Sequence, residues 1–129
     1  MKNKQPYLRW LDQAKNDFNW TQSNIKEKIY YGACFTSQQS AEKSLKSYLL
    51  KQNLILPKIH DLIVLLEKSI EFDSSFEQLR EACAGLTDYY IETRYPDVFE
   101  FFEFDKTQAL EAYKNAETVL RFVEKKIVE

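Results

Sequence analysis

An arginine that precedes a Tyr-Pro-Asp turn is the residue in this sequence best suited to bind a phosphate. Arg94 is followed by Tyr95, Pro96 and Asp97 in the string "YIETRYPD". A guanidinium can bind a phosphate through two parallel hydrogen bonds, and a ring such as that of Tyr95 can stack on a base. Two structural explanations compete with binding: a cation complements the dipole at the end of a helix, and Arg94 can pair with Asp97. The residues alone leave these alternatives open.

A second group of polar side chains recurs at helical spacing in the first half of the chain. Gln39, Lys43 and Lys46 are separated by four and three residues, so they share one helix face, with Glu42 one step to the side. Two cations beside an amide could bind phosphate or ribose oxygens. An amphipathic helix also needs a polar side that faces water, so the same spacing is typical of a solvated face.

The other reactive residue types do not form a catalytic or metal-binding pattern. His60 is the only histidine, and it directly precedes a predicted helix, where its ring could bond a free backbone group or pack beneath the bundle. Cys34 and Cys83 lack the paired spacing of a zinc site, so we expect reduced thiols in the core. The sequence therefore predicts no metal centre, no cofactor and no nucleophile supported by a base.

Length and composition indicate a single helical domain. The 129 residues suffice for one hydrophobic core, so residues 1–129 are treated as one domain. An apolar content of 44% excludes disorder, while two glycines and three prolines leave few turn residues for a many-stranded β fold. No uncharged apolar run approaches the roughly 20 residues of a membrane span, and no signal-peptide core is found, which predicts a cytoplasmic protein.

Charge is distributed unevenly along the chain. Residues 1–60 contain ten Lys or Arg against four Asp or Glu, whereas residues 61–117 contain five against fourteen. Such asymmetry can guide an anionic ligand or a complementary protein to one face. Solvated helix faces produce charge blocks as well, so both interpretations stay open.

The apolar pattern predicts a bundle of four long helices and one short helix. Asp61 is expected to cap the short helix, and Asp73, Ser74 or Ser75 the helix after it. That fourth helix should fade near Arg94, since Pro96 disfavours helical geometry in the residue before it. The predicted helices span about residues 6–26, 34–52, 61–70, 75–94 and 105–129.

Three strings in this order, "YYGACFTSQQSAEKSLKSYL", "HDL" and "YYIETRYPD", resemble the HEPN domain family of small helical, nucleotide-binding-associated domains. The resemblance covers nearly the whole chain. It implies an antiparallel up-and-down bundle, usually a homodimer, often encoded beside a minimal nucleotidyltransferase as a two-component or toxin–antitoxin pair. The residues that match the family strings are Gln39, Glu42, Lys43, Arg94, Tyr95, Pro96 and Asp97.

The sequence departs from the family's ribonuclease motif. Many HEPN proteins are metal-independent ribonucleases that use an arginine followed four to six residues later by a histidine. Here the residues four to seven positions after Arg94 read "VFEF", without a histidine, and His60 lies upstream in another segment. Unless Glu100 or Tyr95 replaces the missing base, we expect Arg94 to hold a phosphate without cleavage.

Four phenylalanines follow the Tyr-Pro-Asp turn, separated by acids. Phe99, Phe101, Phe102 and Phe104 cannot all face water without forming a sizeable apolar patch. Some should cap the bundle or bury against a second subunit. We therefore expect a homodimer with Phe99, Phe101 and Phe102 in its interface.

Three functions are consistent with the sequence. The leading one is a non-catalytic, homodimeric HEPN protein that binds a nucleotide or RNA phosphate, a nucleotidyltransferase partner, or both. The second is a ribonuclease toxin with a degenerate motif. The third is a purely structural interaction module, favoured if Lys43 and Arg94 are buried in salt bridges. The candidate ligand-binding residues are Gln39, Glu42, Lys43, Lys46, Arg94, Tyr95 and Asp97.

Overall fold

The described part of the chain is helical throughout. A computed structural model describes residues 4–55, 58–89 and 104–128. These ranges contain no strand, and their helices are α1 (Pro6–Lys26), α2 (Tyr30–Lys51), α3 (Leu62–Phe72), a 3₁₀ helix (Ser74–Leu79), α4 (Arg80–Leu86) and α5 (Lys106–Val128). The all-α prediction is confirmed.

Side-chain caps explain where several helices begin. The Asp61 carboxylate accepts hydrogen bonds from Ile63 N at 2.8 Å and Val64 N at 3.3 Å, so Asp61 is the N-cap of α3 as predicted. Asp105 and Gln108 bond each other's backbone amides at the start of α5, in the arrangement of a capping box. These contacts satisfy amides that the first helical turn leaves without partners.

Hydrogen bonds between α1 and α2 show that the two helices are antiparallel. Ser40 Oγ donates to Ala14 O at 2.8 Å, and Ser47 Oγ donates to Tyr7 O at 2.6 Å. Partners therefore move toward the start of α1 as the chain advances along α2. Small serine side chains let the two backbones approach closely, which buries most of the α2 surface.

Contacts between α1 and α5 show a second antiparallel pair. The rings of Phe18 and Tyr113 stack with centroids 4.9 Å apart, and Lys15 Nζ lies 3.5 Å from Glu124 Oε2. Later residues of α5 thus meet earlier residues of α1. Since α1 is antiparallel to both, α2 and α5 run in the same direction.

The fourth run of the bundle, within the described residues, consists of the 3₁₀ helix followed directly by α4. Asp73 begins it beside Lys126, near the end of α5, and Gly85 packs so closely on Asn115 that an added Cβ would lie 2.6 Å from the amide nitrogen. This run is therefore antiparallel to α5. The sequence predicted one long helix here, whereas the first turns are 3₁₀, which is consistent with serines that favour local turns. Its predicted continuation to Arg94 lies outside the described residues.

The core lies between the three long helices, α3 and the fourth run. Phe76 is fully buried, with its ring 4.3 Å from that of Tyr48 and 4.9 Å from that of Phe122. Cys34 and Cys83 are buried free thiols, as predicted, and burial raises the pKa of Cys83 to about 12, which makes its thiol unreactive. Phe104 packs against this core. Among the described residues, no helix has the length and apolar character needed to cross a membrane.

Candidate functional site

Three side chains contact the buried carboxylate of Glu42 on α2. Glu42 Oε2 accepts a hydrogen bond from Lys46 Nζ at 2.9 Å and lies 3.0 Å from His60 Nδ1. Glu42 Oε1 accepts from Gln38 Nε2 at 3.2 Å. The Glu42 side chain is only 4% exposed, so this ionic group lies inside the protein. We refer to Gln38, Glu42, Lys46 and His60 as the Glu42 cluster.

Helical spacing and the return of the chain after α2 assemble the Glu42 cluster. Gln38, Glu42 and Lys46 follow one another at four-residue steps, which stacks them on one stripe of α2. His60 comes from the segment after α2, where the Asp61 cap fixes the start of α3. A long hydrogen bond of 3.4 Å from Gln38 Nε2 to His60 O joins that segment to α2. The cluster therefore connects α2 to the entrance of α3.

The ammonium group of Lys46 contacts other side chains inside the protein. Its side chain is 6% exposed, and its ammonium group lies 5.5 Å from the centroid of the Trp10 ring on α1, in addition to its bond to Glu42. A cation over an indole face is attracted by the ring quadrupole. The solvated-face interpretation is therefore wrong for Lys46 and Glu42, both of which are buried.

Lys43 forms a separate ion pair on the side of α2 that faces α1. Its Nζ lies 2.8 Å from Asp17 Oδ2, with the two side chains 21% and 14% exposed. The same oxygen has no donor in hydrogen-bonding geometry among the described residues, so the contact is an ion pair without a well-aligned hydrogen bond. The sequence favoured a structural module if Lys43 and Arg94 were both buried in salt bridges. Lys43 is in a partly buried pair, and Arg94 lies outside the described residues.

Two glutamine oxygens on α2 lack hydrogen-bond donors within the described ranges. Gln38 donates its amide nitrogen to Glu42 and to a backbone carbonyl, and these two acceptors fix the orientation of its amide. Its Oε1 is left buried and unsatisfied, and so is Oε1 of Gln39. An unsatisfied buried acceptor costs roughly 1–3 kcal/mol, so each of these oxygens lowers the stability of the fold.

The structure brings together only part of the predicted site. Gln39, Glu42, Lys43 and Lys46 all lie on α2, but Lys43 and Lys46 contact different partners. The remaining predicted ligand-binding and interface residues lie outside the described residues: Arg94, Tyr95, Asp97, Phe99, Phe101 and Phe102.

Sequence reasoning missed three members of this region. Trp10 gave no signal, because its contact with Lys46 crosses from α1 to α2, whereas Gln38 stands four residues before Glu42, a helical spacing that could have identified it. His60 was assigned a structural role, although it stands in the "HDL" string on which the family resemblance rests. No group of three or more His, Cys, Asp or Glu side chains in the described part of the chain is arranged to hold a metal ion.

The chain belongs to the HEPN domain family. The family model for the HEPN domain matches residues 7–126, which is nearly the whole sequence. This match confirms the resemblance found in the three sequence strings. No curated protein matches the chain closely enough to count as a relative.

Two solved structures share the fold at appreciable sequence identity. The crystal structure of TT1696 from Thermus thermophilus superposes with a TM-score of 0.81 at 32% identity, covering 93% of this chain and 97% of that one. ST0689, described as an archaeal HEPN homologue, superposes with a TM-score of 0.76 at 27% identity, covering 96% and 99%. The chain is thus similar to both proteins over almost their entire lengths.

Proposed function

We propose that this HEPN protein binds a nucleotide or a nucleic-acid phosphate beside the Glu42 cluster and does not cleave RNA. The observation that carries the proposal is the cluster itself. A carboxylate with a 4% exposed side chain is bonded to a lysine with 6% exposure, in the middle of a helix. Buried ion pairs of this kind are weak sources of net stability, and we therefore propose that this one is retained for ligand binding.

The proposed site assigns different roles to the predicted residues. Arg94 supplies the main charge for phosphate, because its guanidinium can make two parallel hydrogen bonds, and Tyr95 supplies a stacking face. Lys43 contributes charge only if a phosphate competes with Asp17 for its ammonium group. Lys46 supports Glu42 and does not contact the ligand.

Calorimetry with ATP and with a short single-stranded RNA tests this function. We expect Arg94→Ala to weaken binding about tenfold or more, since hydrogen bonds to charged groups contribute about 1.5–3 kcal/mol. Arg94→Lys should also weaken binding, because an ammonium group cannot make the paired contact. Lys125→Ala, which removes an exposed lysine of α5, is the control. Wild-type protein that binds neither probe at millimolar concentration would refute the proposal.

We also propose that the protein is a homodimer that buries Phe99, Phe101 and Phe102. The support is the apolar content of this segment, whose exposure would cost free energy that a second subunit removes. Light scattering at tens of micromolar should give twice the mass of 15.4 kDa. Phe101→Ser with Phe102→Ser should shift the protein toward monomer. A strictly monomeric wild-type protein would contradict this.

A minimal nucleotidyltransferase encoded next to this protein is the partner that family membership favours. Residues 1–60 carry an excess of positive charge and residues 61–117 an excess of negative charge, and a charged partner can be attracted to either. Co-purification of the two proteins, with the complex weakening as salt is raised, is the expected result. Two separate peaks in size-exclusion chromatography at low salt would argue against the partnership.

A metal-independent ribonuclease is the second candidate function, and the contact between Glu42 and His60 is the observation that favours it. A histidine held by a carboxylate is the usual arrangement of a general base. Incubation with structured and single-stranded RNA decides between the two candidates. Cleavage that disappears in both Arg94→Ala and His60→Ala would establish the ribonuclease, whereas we expect intact RNA.

A further inference from the structure

A cavity lies between the first two turns of α1 and the segment that ends α2. Its volume is about 600 Å³, which is within the range of small-molecule sites. Its walls come from residues 5–10 and 50–55, which the antiparallel pairing of α1 with α2 brings together. We refer to it as the Trp10 cavity. Lys43 does not line it, so it is separate from the contacts of that residue.

Two aromatic rings form one wall of the Trp10 cavity. Tyr7 and Trp10 are three residues apart on α1, so their side chains share a helix face, and both are partly exposed. The Lys46 ammonium group lies 5.5 Å from the centroid of the Trp10 ring but does not line the cavity. The indole is therefore held by a contact inside the protein and borders the cavity as well. A fixed aromatic ring of this kind is a stacking surface for a planar ligand.

The end of α2 forms the opposite wall. Asn53 has a φ of 64°, its amide donates to Leu50 O at 2.9 Å, and the amide of Leu54 donates to Leu49 O at 3.1 Å. These two bonds form a Schellman motif, whose left-handed position asparagine tolerates better than most residues. The chain turns there and adds apolar side chains to the cavity. One of them, Ile55, is 90% exposed and is therefore accessible to a ligand.

The polar groups available in the Trp10 cavity are carboxamides. Gln5 and Asn53 both line it, and neither side-chain amide bonds to another described residue. Lys51 lines it too, but its ammonium group donates to Ile127 O at 2.6 Å, at the end of α5. None of the described residues that line the cavity is acidic. A carboxamide has a donor and an acceptor side by side, which matches the N6 and N7 edge of adenine.

We propose that the Trp10 cavity binds an adenine ring. Trp10 and Tyr7 stack on the ring, and the amides of Gln5 and Asn53 bond its N6 and N7 edge. The lining supports a planar, uncharged ligand with a hydrogen-bonding edge, because aromatic and apolar side chains face one another with carboxamides between them. This site requires no phosphate. It therefore goes beyond the proposed function, which depends on Arg94.

Tryptophan fluorescence with adenosine tests the stacking. The chain has two tryptophans, and Trp20 is 57% exposed, so Trp20→Phe leaves Trp10 as the only indole and changes a position outside the core. We expect adenosine to quench the emission of Trp10 in a saturable way and ribose alone to leave it unchanged. Emission that millimolar adenosine does not alter would overturn the proposal.

Calorimetry with adenosine and with purine riboside, which lacks the 6-amino group, tests the amide contacts. Wild-type protein should bind adenosine about two- to tenfold more tightly, as one hydrogen bond gives. Gln5→Ala with Asn53→Gly removes both amides and keeps a residue that tolerates positive φ, so it should bind the two nucleosides equally. Lys28→Gly is the matched control, because Lys28 has a φ of 62° at the other end of α1. Equal binding of both nucleosides by wild type would refute the adenine assignment.

Two further variants separate the cavity from the phosphate site. Trp10→Leu, shown to be folded by urea unfolding, should bind adenosine at least about fivefold more weakly, as loss of one stacked base gives. Arg94→Ala should bind adenosine as wild type does, because adenosine carries no phosphate. Adenosine binding that is kept in Trp10→Leu or lost in folded Arg94→Ala would refute the cavity assignment. ATP binding that Arg94→Ala leaves unchanged, with adenosine bound in the cavity, would refute the proposed phosphate site alone.

Discussion

The carboxylates of Asp73 and Glu42 each contact several donors, but only that of Asp73 caps a helix. Asp73 Oδ1 accepts from the backbone and side chain of Ser75, at 3.0 and 2.6 Å, and Oδ2 lies 3.0 Å from Lys126 Nζ. These contacts cap the 3₁₀ helix and join it to α5. The Asp73 side chain is 29% exposed, so its charge remains partly solvated.

Glu42 does not cap a helix, although its cluster connects α2 to the segment before α3. It lies in the middle of α2, where backbone amides are already satisfied within the helix, and its own partners are all side chains. The Glu42 side chain is nevertheless 4% exposed. Burying such a group costs free energy that apolar side chains would not cost. Asp73 therefore stabilises a helix start, whereas the buried Glu42 cluster is the group beside which we propose ligand binding.

The largest effect in this comparison is expected from Lys46→Met. Removing the ammonium group leaves the buried Glu42 carboxylate without its paired lysine. The free energy of unfolding should therefore fall by about 3 kcal/mol. Urea unfolding measures this, and Lys125→Met, at an exposed position, should change it by less than about 0.5 kcal/mol. A loss below about 1 kcal/mol for Lys46→Met would mean that the Glu42–Lys46 pair contributes no more to the free energy of unfolding than a surface ion pair does.

Asp73→Ala should have a smaller effect, because it removes a helix cap and a partly exposed ion pair. We expect a loss of about 1–2 kcal/mol in urea unfolding. Asp73→Asn keeps an oxygen for the Ser75 amide and should lose about half as much. If Asn were as destabilising as Ala, the charge of Asp73 would matter and its capping role would be minor.

The ionisation of Asp73 predicts how its contribution depends on pH. Its hydrogen bonds with Ser75, followed by the contact with Lys126, lower the pKa of Asp73 from 3.8 to about 2. Because the folded-state pKa is the lower one, this stabilisation is present above pH 4 and is lost as pH falls toward 2. We expect about 1 kcal/mol after allowing for partial exposure. The stability difference between wild type and Asp73→Asn should therefore shrink between pH 4 and pH 2, and a constant difference would contradict this.

The smallest effect on stability is expected from Asp17→Asn. The Lys43–Asp17 pair is partly exposed and poorly aligned, so the loss should be at most about 1 kcal/mol. The variant frees the Lys43 ammonium group, and ATP should bind a fewfold more tightly if Lys43 contributes charge. Unchanged affinity in both Asp17→Asn and Lys43→Ala would assign Lys43 to the fold alone.

Local signals in the sequence were sufficient for most helix boundaries. Pro6 and Lys26 were predicted as the ends of α1, and Asp61 as the cap of α3, because each depends on residues within one turn. The start of α2 at Tyr30 and the 3₁₀ turns at Ser74 were missed. The 3₁₀ turns follow the local turn preference of Ser74 and Ser75, which an apolar helical pattern does not report.

The candidate site was less predictable than the fold. Spacing placed Gln39, Lys43 and Lys46 on one helix face with Glu42 one step to the side, but it could not show that Glu42 and Lys46 are buried. The pairing of Lys43 with Asp17 joins positions 26 residues apart, and that of Glu42 with His60 joins positions 18 apart. Such contacts depend on how α1, α2 and the segment before α3 meet.

The measurement that tests this account most directly is ATP binding by a double variant, Glu42→Met with Lys46→Met. Replacing a buried ion pair by apolar side chains of similar volume is often neutral or stabilising, so its free energy of unfolding should stay within about 1 kcal/mol of wild type. Its affinity for ATP should fall about two- to tenfold, because the proposed binding site lies beside the Glu42 cluster, which the variant removes. A stable double variant that binds ATP as tightly as wild type would show that the Glu42 cluster has no role in ligand binding.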